Sequence, residues 1–254
     1  MPSWDPSQYL KFADHRLRPA LDLLARVPQG EPRTIWDLGC GPGNITEIIR
    51  RRWPDARVTG LDNSPDMLKQ ARAISGIDWV AGDVSAWTAP APADFVFSNA
   101  VLHWIDGHAR LFPHLLQQVA RGGVLAVQMP RNFAAPSHTL LYETAAEGPW
   151  AAKLVPLLRP SPVAPPETYY DWLMPHATHL DIWETEYLHV LQGENAVLEW
   201  TKGTAVRPLV DQIDPSQRDA FLAAYATKLR KAYPRHADGM TLYPFRRLFM
   251  VAVR

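Results

Sequence analysis

The sequence has a single cysteine, Cys40, in 254 residues. That excludes an internal disulfide framework and a cysteine-based zinc cluster. It has no surplus of either charge: 26 Lys and Arg stand against 26 Asp and Glu. A general nucleic-acid binder carries a basic excess to neutralise phosphates, so the balance argues against that class. Long hydrophobic runs are missing too. Stretches such as Val124-Leu125-Ala126-Val127 fall far short of the roughly 20 residues a membrane-spanning helix needs. The opening Met1-Pro2-Ser3-Trp4-Asp5 lacks a basic and an apolar region, so no signal peptide is expected. There is no internal repeat, low-complexity tract or charge run. What remains is a chain long enough for one sizeable core and too short for more than two ordinary domains. Its expected location is the cytoplasm.

Residues 33 to 129 alternate short apolar runs with amphipathic stretches. The runs are Thr34-Ile35-Trp36-Asp37-Leu38, Arg57-Val58-Thr59-Gly60-Leu61, Ile77-Asp78-Trp79-Val80, Phe95-Val96-Phe97 and Val124 to Val127. Between them Ile45, Ile48 and Ile49, then Met67, Leu68 and Ala71, recur at helical spacing. Strands alternating with helices predict right-handed βαβ units and a parallel sheet covered on both faces. After Met129 the pattern breaks. Nine prolines fall between 130 and 175, too many for regular sheet or long helices throughout. A strand-like run follows at Leu180-Asp181-Ile182-Trp183 and continues toward His189-Val190. Residues 194 to 233 read as helical, and Arg246 to Val253 as a final strand. The expected fold is α/β: a Rossmann-like, seven-stranded, mostly parallel sheet with helices on both faces. Segments 130–179 and 191–244 read as largely helical insertions over the sheet's carboxyl edge.

The most informative stretch is Asp37-Leu38-Gly39-Cys40-Gly41-Pro42-Gly43-Asn44, placed between a predicted strand and a predicted helix. Glycines there allow a tight turn and let the backbone approach a ligand closely. The spacing is G-x-G-x-G. A dinucleotide fingerprint would need glycine where Asn44 stands, and Pro42 lacks an N–H that a pyrophosphate would use. Asp62 closes the second strand, where a carboxylate can take both hydroxyls of a ribose. Asp83 follows the third strand, where a carboxylate can accept from an adenine amino group. Asn99 lies just past the fourth. Ligands of open α/β sheets sit at these carboxyl ends. Any one of the four is an ordinary βα turn, in which Gly, Asp and Asn are common. All four in order point to a nucleoside-bearing ligand.

With these residues the sequence resembles the class I S-adenosylmethionine-dependent methyltransferases. The resemblance implies S-adenosyl-L-methionine as cofactor and a cofactor-binding core at about 30–130. It puts Asp37, Gly39, Gly41 and Gly43 at the amino-acid end of the cofactor. Asp62, with Asn63 beside it, would serve the ribose, Asp83 and Val84 the adenine, and Asn99 the neighbourhood of the sulfonium. A narrower resemblance, to a branch of that superfamily acting on a small tricarboxylate, covers nearly the whole chain. It rests on Trp4-Asp5-Pro6 with Tyr9-Leu10, on Leu111-Phe112-Pro113-His114-Leu115, and on Gly123 to Pro130 with Asn132. Tyr169-Tyr170-Asp171, Asp181-Ile182-Trp183, Arg207-Pro208 and Arg247-Leu248-Phe249 complete it. Thr204-Ala205-Val206 and the proline-rich run 156–166 depart from that pattern.

Guanidinium groups match carboxylates bidentately, which makes Arg131, Arg207 and Arg247 the candidates for an acid substrate, with Arg246 read as a surface residue. Gln128, Tyr9 and Trp104 join them as substrate-side candidates. Trp4, Tyr9 and Trp104 are rings that could shield a sulfonium by cation–π attraction, although Trp4 could equally pack an N-terminal helix. Trp36, Trp79 and Trp183 lie in strand patterns and are assigned to packing. The nine histidines show no metal-ligand spacing, and His176 with His179 has no acidic or cysteine partner, so no metal is expected. No catalytic base is assigned. His103 and Trp104 fall near the active edge, and an ionised carboxylate needs no base.

The expected activity is therefore carboxyl O-methylation of a small tricarboxylate to its monomethyl ester. Alternatives are methylation of another small acid, a phenol or an amine, or a nicotinamide-dependent oxidation. The chain reads as one domain, 1–254, with the N-terminal segment 1–20 joining the substrate cap. Neither a nucleic acid, a membrane nor an obligate protein partner is expected.

Overall fold

The computed structural model describes residues 13–28, 30–159 and 161–254. Tyr9 and the Trp4-Asp5-Pro6 segment lie outside them. The described chain forms two compact bodies. A sheet body comprises Ala13–Pro130, Pro162–Thr185 and Arg247–Arg254, and a second body comprises Arg131–Ser161 and Glu186–Arg246.

Seven strands make one sheet: β1 (Thr34–Leu38), β2 (Arg57–Asp62), β3 (Asp78–Ala81), β4 (Ala93–Asn99), β5 (Val119–Pro130), β6 (His179–Gln192) and β7 (Met240–Val253). Their order is β3-β2-β1-β4-β5-β7-β6, with β1 to β5 parallel and β7 antiparallel to β5. The expected α/β sheet, its strand number and its mostly parallel character are all present. Phe95 to Ser98 are buried in succession, which a strand achieves only when both faces of its sheet are covered. In the sheet body the helices are α1 (Ala13–Arg26), α2 (Asn44–Arg52), α3 (Pro65–Ala71), α4 (His108–Gln117) and α7 (Pro166–Leu173). Because β1 lies between β2 and β4, the chain reverses direction across the sheet there. That switch opens a crevice at the strands' carboxyl ends, the place where such folds bind ligands.

The amino ends of β1 and β4 are stapled by Asp94. Its Oδ2 accepts from Arg33 N at 2.8 Å, Thr34 N at 2.9 Å and Thr34 Oγ1 at 3.1 Å, and Thr34 Oγ1 accepts from Asp94 N at 3.1 Å. Asp94→Ala leaves two backbone donors unmatched, and a cost of about 2–3 kcal/mol is expected at roughly 1 kcal/mol per lost bond. In a chain of this size that is a fall in Tm of about 5–10 °C, readable in a thermal melt. A melt unchanged within 1–2 °C would show that these bonds add nothing net.

The second body holds α5 (Pro136–Ala146), α6 (Ala151–Leu154), α8 (Ala196–Lys202), α9 (Arg207–Val210) and α10 (Pro215–Ala232). The helical span read at 194–233 is thus three helices. Gly203 ends the first, and Pro208 and Pro215 sit in the first turns of the others, where a missing N–H costs nothing. Pro136 and Pro166 start α5 and α7 in the same way. This body has its own apolar core, built around Leu141, Trp150, Trp200, Phe221, Tyr225 and Tyr243.

Candidate functional site

The loop after β1 is shaped from beneath and open from above. The Trp79 ring lies under Gly43, where a Cβ would stand 2.6 Å from it. Gly43 also has φ 90° as the cap of α2, so no other residue fits. Gly41 has φ 55°, but a Cβ there would meet nothing within 4 Å, leaving a bare backbone face that a ligand can approach. The loop is tied to β2 by two bonds to one carbonyl: Gly39 N and Cys40 N donate to Leu61 O at 2.7 and 3.0 Å. Asp62 adds a third tie. Its Oδ2 accepts from Gly41 N at 2.8 Å and its Oδ1 from Ser64 N at 2.8 Å. The glycine motif and Asp62, 21 residues apart, therefore form one structural unit. Each carboxylate oxygen accepts one backbone N–H and keeps lone pairs for a ligand.

Asp37 lies below this unit and is 2% exposed. Its Oδ2 accepts from Thr46 Oγ1 at 2.6 Å. Burial pushes its carboxyl up to about 7, the Thr46 bond opposes that, and the charge of Asp62 adds to it. The acid thus titrates near neutrality, and a cation held beside it would favour the ionised form. Burial also holds the Cys40 thiol protonated, far from a reactive thiolate.

Asn63 is exposed beyond Asp62, and Asp83 is exposed while its Oδ1 accepts from Ser85 N at 2.8 Å, capping the turn Val84–Ala86. Val84 is buried beneath it. The register pairs Asn99 on β4 with Gln128 on β5, and Gln128 with Phe249 on β7. Side chains of such partners share a face, as does Arg247 two residues before Phe249. Arg247 Nη1 donates to Gln128 Oε1 at 3.4 Å, and both side chains are buried. Gln128 Nε2 and Asn99 Oδ1 are also buried, and neither has a hydrogen-bond partner among the described residues.

The segment carrying His103 and Trp104 is a short 3-10 turn, Leu102–Trp104. Their rings are 4.7 Å apart; His103 is buried and Trp104 is 44% exposed. His108 holds the turn in place. Its Nε2 donates to Leu102 O at 2.8 Å, which leaves Nδ1 to accept from the Tyr169 hydroxyl at 2.6 Å. Trp183 stacks on Phe249 at 4.9 Å, and Trp36 meets Trp87 at 5.3 Å, so the strand tryptophans pack as expected. Among the described residues no three His, Cys, Asp or Glu side chains gather as a metal site would require.

In the second body, Arg131 N donates to Arg246 O at 2.9 Å, which places Arg131 immediately after β5. Arg207 opens α9 and lies 3.9 Å from Asp211. Arg246 is exposed and reaches Glu186 at 3.6 Å, the surface role expected of it.

The fold and loop geometry agree with a match of residues 35–123 to a methyltransferase-domain family. Relatives extend the likeness over the whole chain. A trans-aconitate 2-methyltransferase of Azoarcus sp. (strain BH72) is 49% identical, covering 100% of both chains. The chain belongs to the trans-aconitate 2-methyltransferase family. The homonymous protein of Streptomyces avermitilis is 48% identical over 99% of this chain and 97% of its own. A phosphoethanolamine N-methyltransferase 2 of Haemonchus contortus, solved with S-adenosyl-L-methionine, shares the fold: TM-score 0.55 at 15% identity over 93% of this chain and 52% of that longer one.

Two features of this trans-aconitate 2-methyltransferase family member escape a reading of its sequence. Thr46 bonds the buried Asp37 although it reads as an ordinary residue of α2; its one signal is a polar side chain on the helix's buried face. A Ser137 hub in the second body is the other. Ser137 N donates to Tyr233 Oη at 3.0 Å, while Tyr225 Oη donates to Ser137 O at 2.5 Å and Tyr243 Oη to Ser137 Oγ at 3.1 Å. Nothing in the spacing of three tyrosines over 225–243 announces that they converge on one serine.

Proposed function

We propose that the chain is a cytoplasmic S-adenosylmethionine-dependent carboxyl O-methyltransferase that converts trans-aconitate to its monomethyl ester. The observation that carries this reading is the identity of 49% spread over the whole chain, well beyond the methyltransferase-domain segment. Two features fit the cofactor: the bare backbone face at Gly41 and the buried, unmatched Asn99 Oδ1. When bound, S-adenosylmethionine supplies an electrophilic methyl group on a sulfonium.

The roles assigned to the chain's own residues are these. Asp37, Gly39, Gly41 and Gly43 hold the amino-acid end of the cofactor. Asp62, with Asn63, takes the ribose hydroxyls, Asp83 and Val84 flank the adenine, and Asn99 lies toward the sulfonium. Arg247 takes a carboxylate of the acid, with Gln128 and Trp104 on the substrate side; Arg131 and Arg207 are assigned to the acid's carboxylates on the family resemblance alone. Tyr9 is assigned to the same side on the family resemblance alone. The acid arrives ionised, since a carboxyl of this kind titrates near 4, so no residue has to remove a proton. The chain's contribution is to position the reactants and exclude water, effects worth roughly 7–11 kcal/mol in well-oriented systems.

A methyl-transfer assay across trans-aconitate, isocitrate, citrate and a simple phenol tests the reading. Preference for trans-aconitate is expected, and turnover of the phenol alone would overturn it. Titration with S-adenosylhomocysteine against NAD separates methyl transfer from hydride chemistry, with binding expected for the first only.

The pH profile follows from Asp37 and from the lack of a base. At saturating cofactor and acid, kcat should be nearly flat from about pH 6.5 to 8.5, in the parent and in His103→Gln. Cofactor affinity should behave differently. In the free protein the Asp37 carboxyl titrates at about 7 because it is buried. As pH rises through 7 its ionised fraction grows, and a ligand that sets an ammonium group beside it binds more tightly. S-adenosylhomocysteine should bind about tenfold tighter at pH 8 than at pH 6, and Asp37→Asn should abolish that difference. A kcat that rises steeply through neutrality and flattens in His103→Gln would instead show a histidine base.

A further inference from the structure

Gln128 is buried completely, and the chemistry of its neighbours fixes which way its amide points. The guanidinium of Arg247 has donors only, so the amide oxygen must face it, as the 3.4 Å bond from Nη1 to Oε1 has it. The amide NH2 is then the end turned away, and it has no partner among the described residues. On the neighbouring strand the register partner Asn99 leaves the opposite kind of group unmatched, an acceptor oxygen. The carboxyl ends of β4 and β5, with the antiparallel β7 alongside at Arg247, thus present a guanidinium, an amide donor and an amide acceptor on one face. Buried amides with unmatched donors are costly, and a protein keeps one where a ligand completes it.

We infer that Gln128 is the specificity-determining residue of the acid site: it orients the Arg247 guanidinium through its oxygen and reads a substrate carboxylate with its NH2. A neutral amide is the side chain that can do both. Glutamate at this position would accept from Arg247 equally well, but it would cancel the positive charge and turn a second oxygen, an acceptor, toward the incoming carboxylate. Leucine would fill the space and do neither. The inference rests on the acid-methylating reading above and deepens it. It makes the choice between a polyanionic acid and its ester depend on one uncharged residue.

The test compares trans-aconitate with its dimethyl ester as substrates for the parent, Gln128→Glu, Gln128→Leu and Arg247→Ala. S-adenosylhomocysteine affinity, expected within twofold of the parent in the Gln128 variants, serves as the control for folding. The parent should prefer the triacid. Gln128→Glu should lower kcat/KM for the triacid at least 100-fold while lowering that for the diester less than tenfold, so that the preference collapses. Gln128→Leu should raise the KM for the triacid about tenfold or more with a smaller change in kcat, and it carries the test if the glutamate variant does not fold. Equal losses on both substrates in Gln128→Glu and Gln128→Leu would mean a packing role and overturn the inference. A parent that leaves trans-aconitate unmethylated defeats the functional reading itself. A parent that is active, with Arg247→Ala impaired and Gln128 variants unaltered in preference, defeats the inference alone.

Discussion

Asp62→Ala should weaken S-adenosylhomocysteine binding by about 3 kcal/mol or more, at least a hundredfold in Kd, on the assignment of its carboxylate to two ribose hydroxyls at about 1.5–3 kcal/mol each. The structure adds a second consequence. The same carboxylate accepts from Gly41 N and Ser64 N, so its removal also takes away one of the three ties between the glycine loop and β2. The ligand-free variant should therefore melt earlier than the parent, by an amount reflecting about 1–3 kcal/mol. The two effects separate in Asp62→Asn, where one oxygen remains. If that oxygen keeps the Gly41 bond, most of the thermal loss returns while much of the affinity loss persists. Calorimetric titration gives the first quantity and a melt without ligand the second. A variant binding as tightly as the parent removes Asp62 from the ribose.

The parallel half of the sheet was legible because its signals are local. β1 to β4 are compact apolar runs, and the loop after β1 declares itself through three glycines that backbone geometry requires. Elements whose signals conflict were harder to read. β5 starts at Val119 rather than near Val124, because Arg121-Gly122-Gly123 looks like a turn. In fact it is an irregularity within the strand, where the pairing with β4 shifts between Ala93 and Phe95 and Gly122 adopts φ 79°. β7 begins at Met240, hidden by Pro244, and β6 runs on to Gln192 past the point where its apolar pattern fades. Gln128 and Arg247 each stand out in the sequence as substrate-side candidates, but pairings between residues distant in sequence gave no sign. Gln128 meets Arg247 across 119 positions and Tyr243 meets Ser137 across 106, separations at which no periodicity operates.

Arg247 carries the other large expectation. It stands at the start of the part of β7 that pairs with β5, opposite Pro130 and beside Gln128, and its side chain is 5% exposed. A guanidinium stays charged at any working pH, and its planar fork of donors matches the two oxygens of a carboxylate. An anionic substrate supplies both charge and geometry, because a carboxylate accepts two parallel N–H bonds from the planar fork. Arg247→Ala should therefore lower kcat/KM for trans-aconitate by about 2–5 kcal/mol, roughly 30- to several-thousand-fold, the range seen when a buried charge loses its partner. S-adenosylhomocysteine affinity should stay within about twofold, since the cofactor is assigned to the loop and to Asp62. Arg247→Lys should recover only part of the loss: an ammonium restores the charge but not the bidentate fork, and its shorter reach leaves Gln128 Oε1 without its donor. Arg207→Ala should act in the same direction and more weakly, because Arg207 is only half-buried and already lies near Asp211. Steady-state kinetics on the three variants, with cofactor titrations alongside, decide the matter. Parent-like kinetics in both alanine variants would return these arginines to structural roles, whereas an equal loss of cofactor and acid binding would mean that Arg247 supports the fold of the site and does not read the acid.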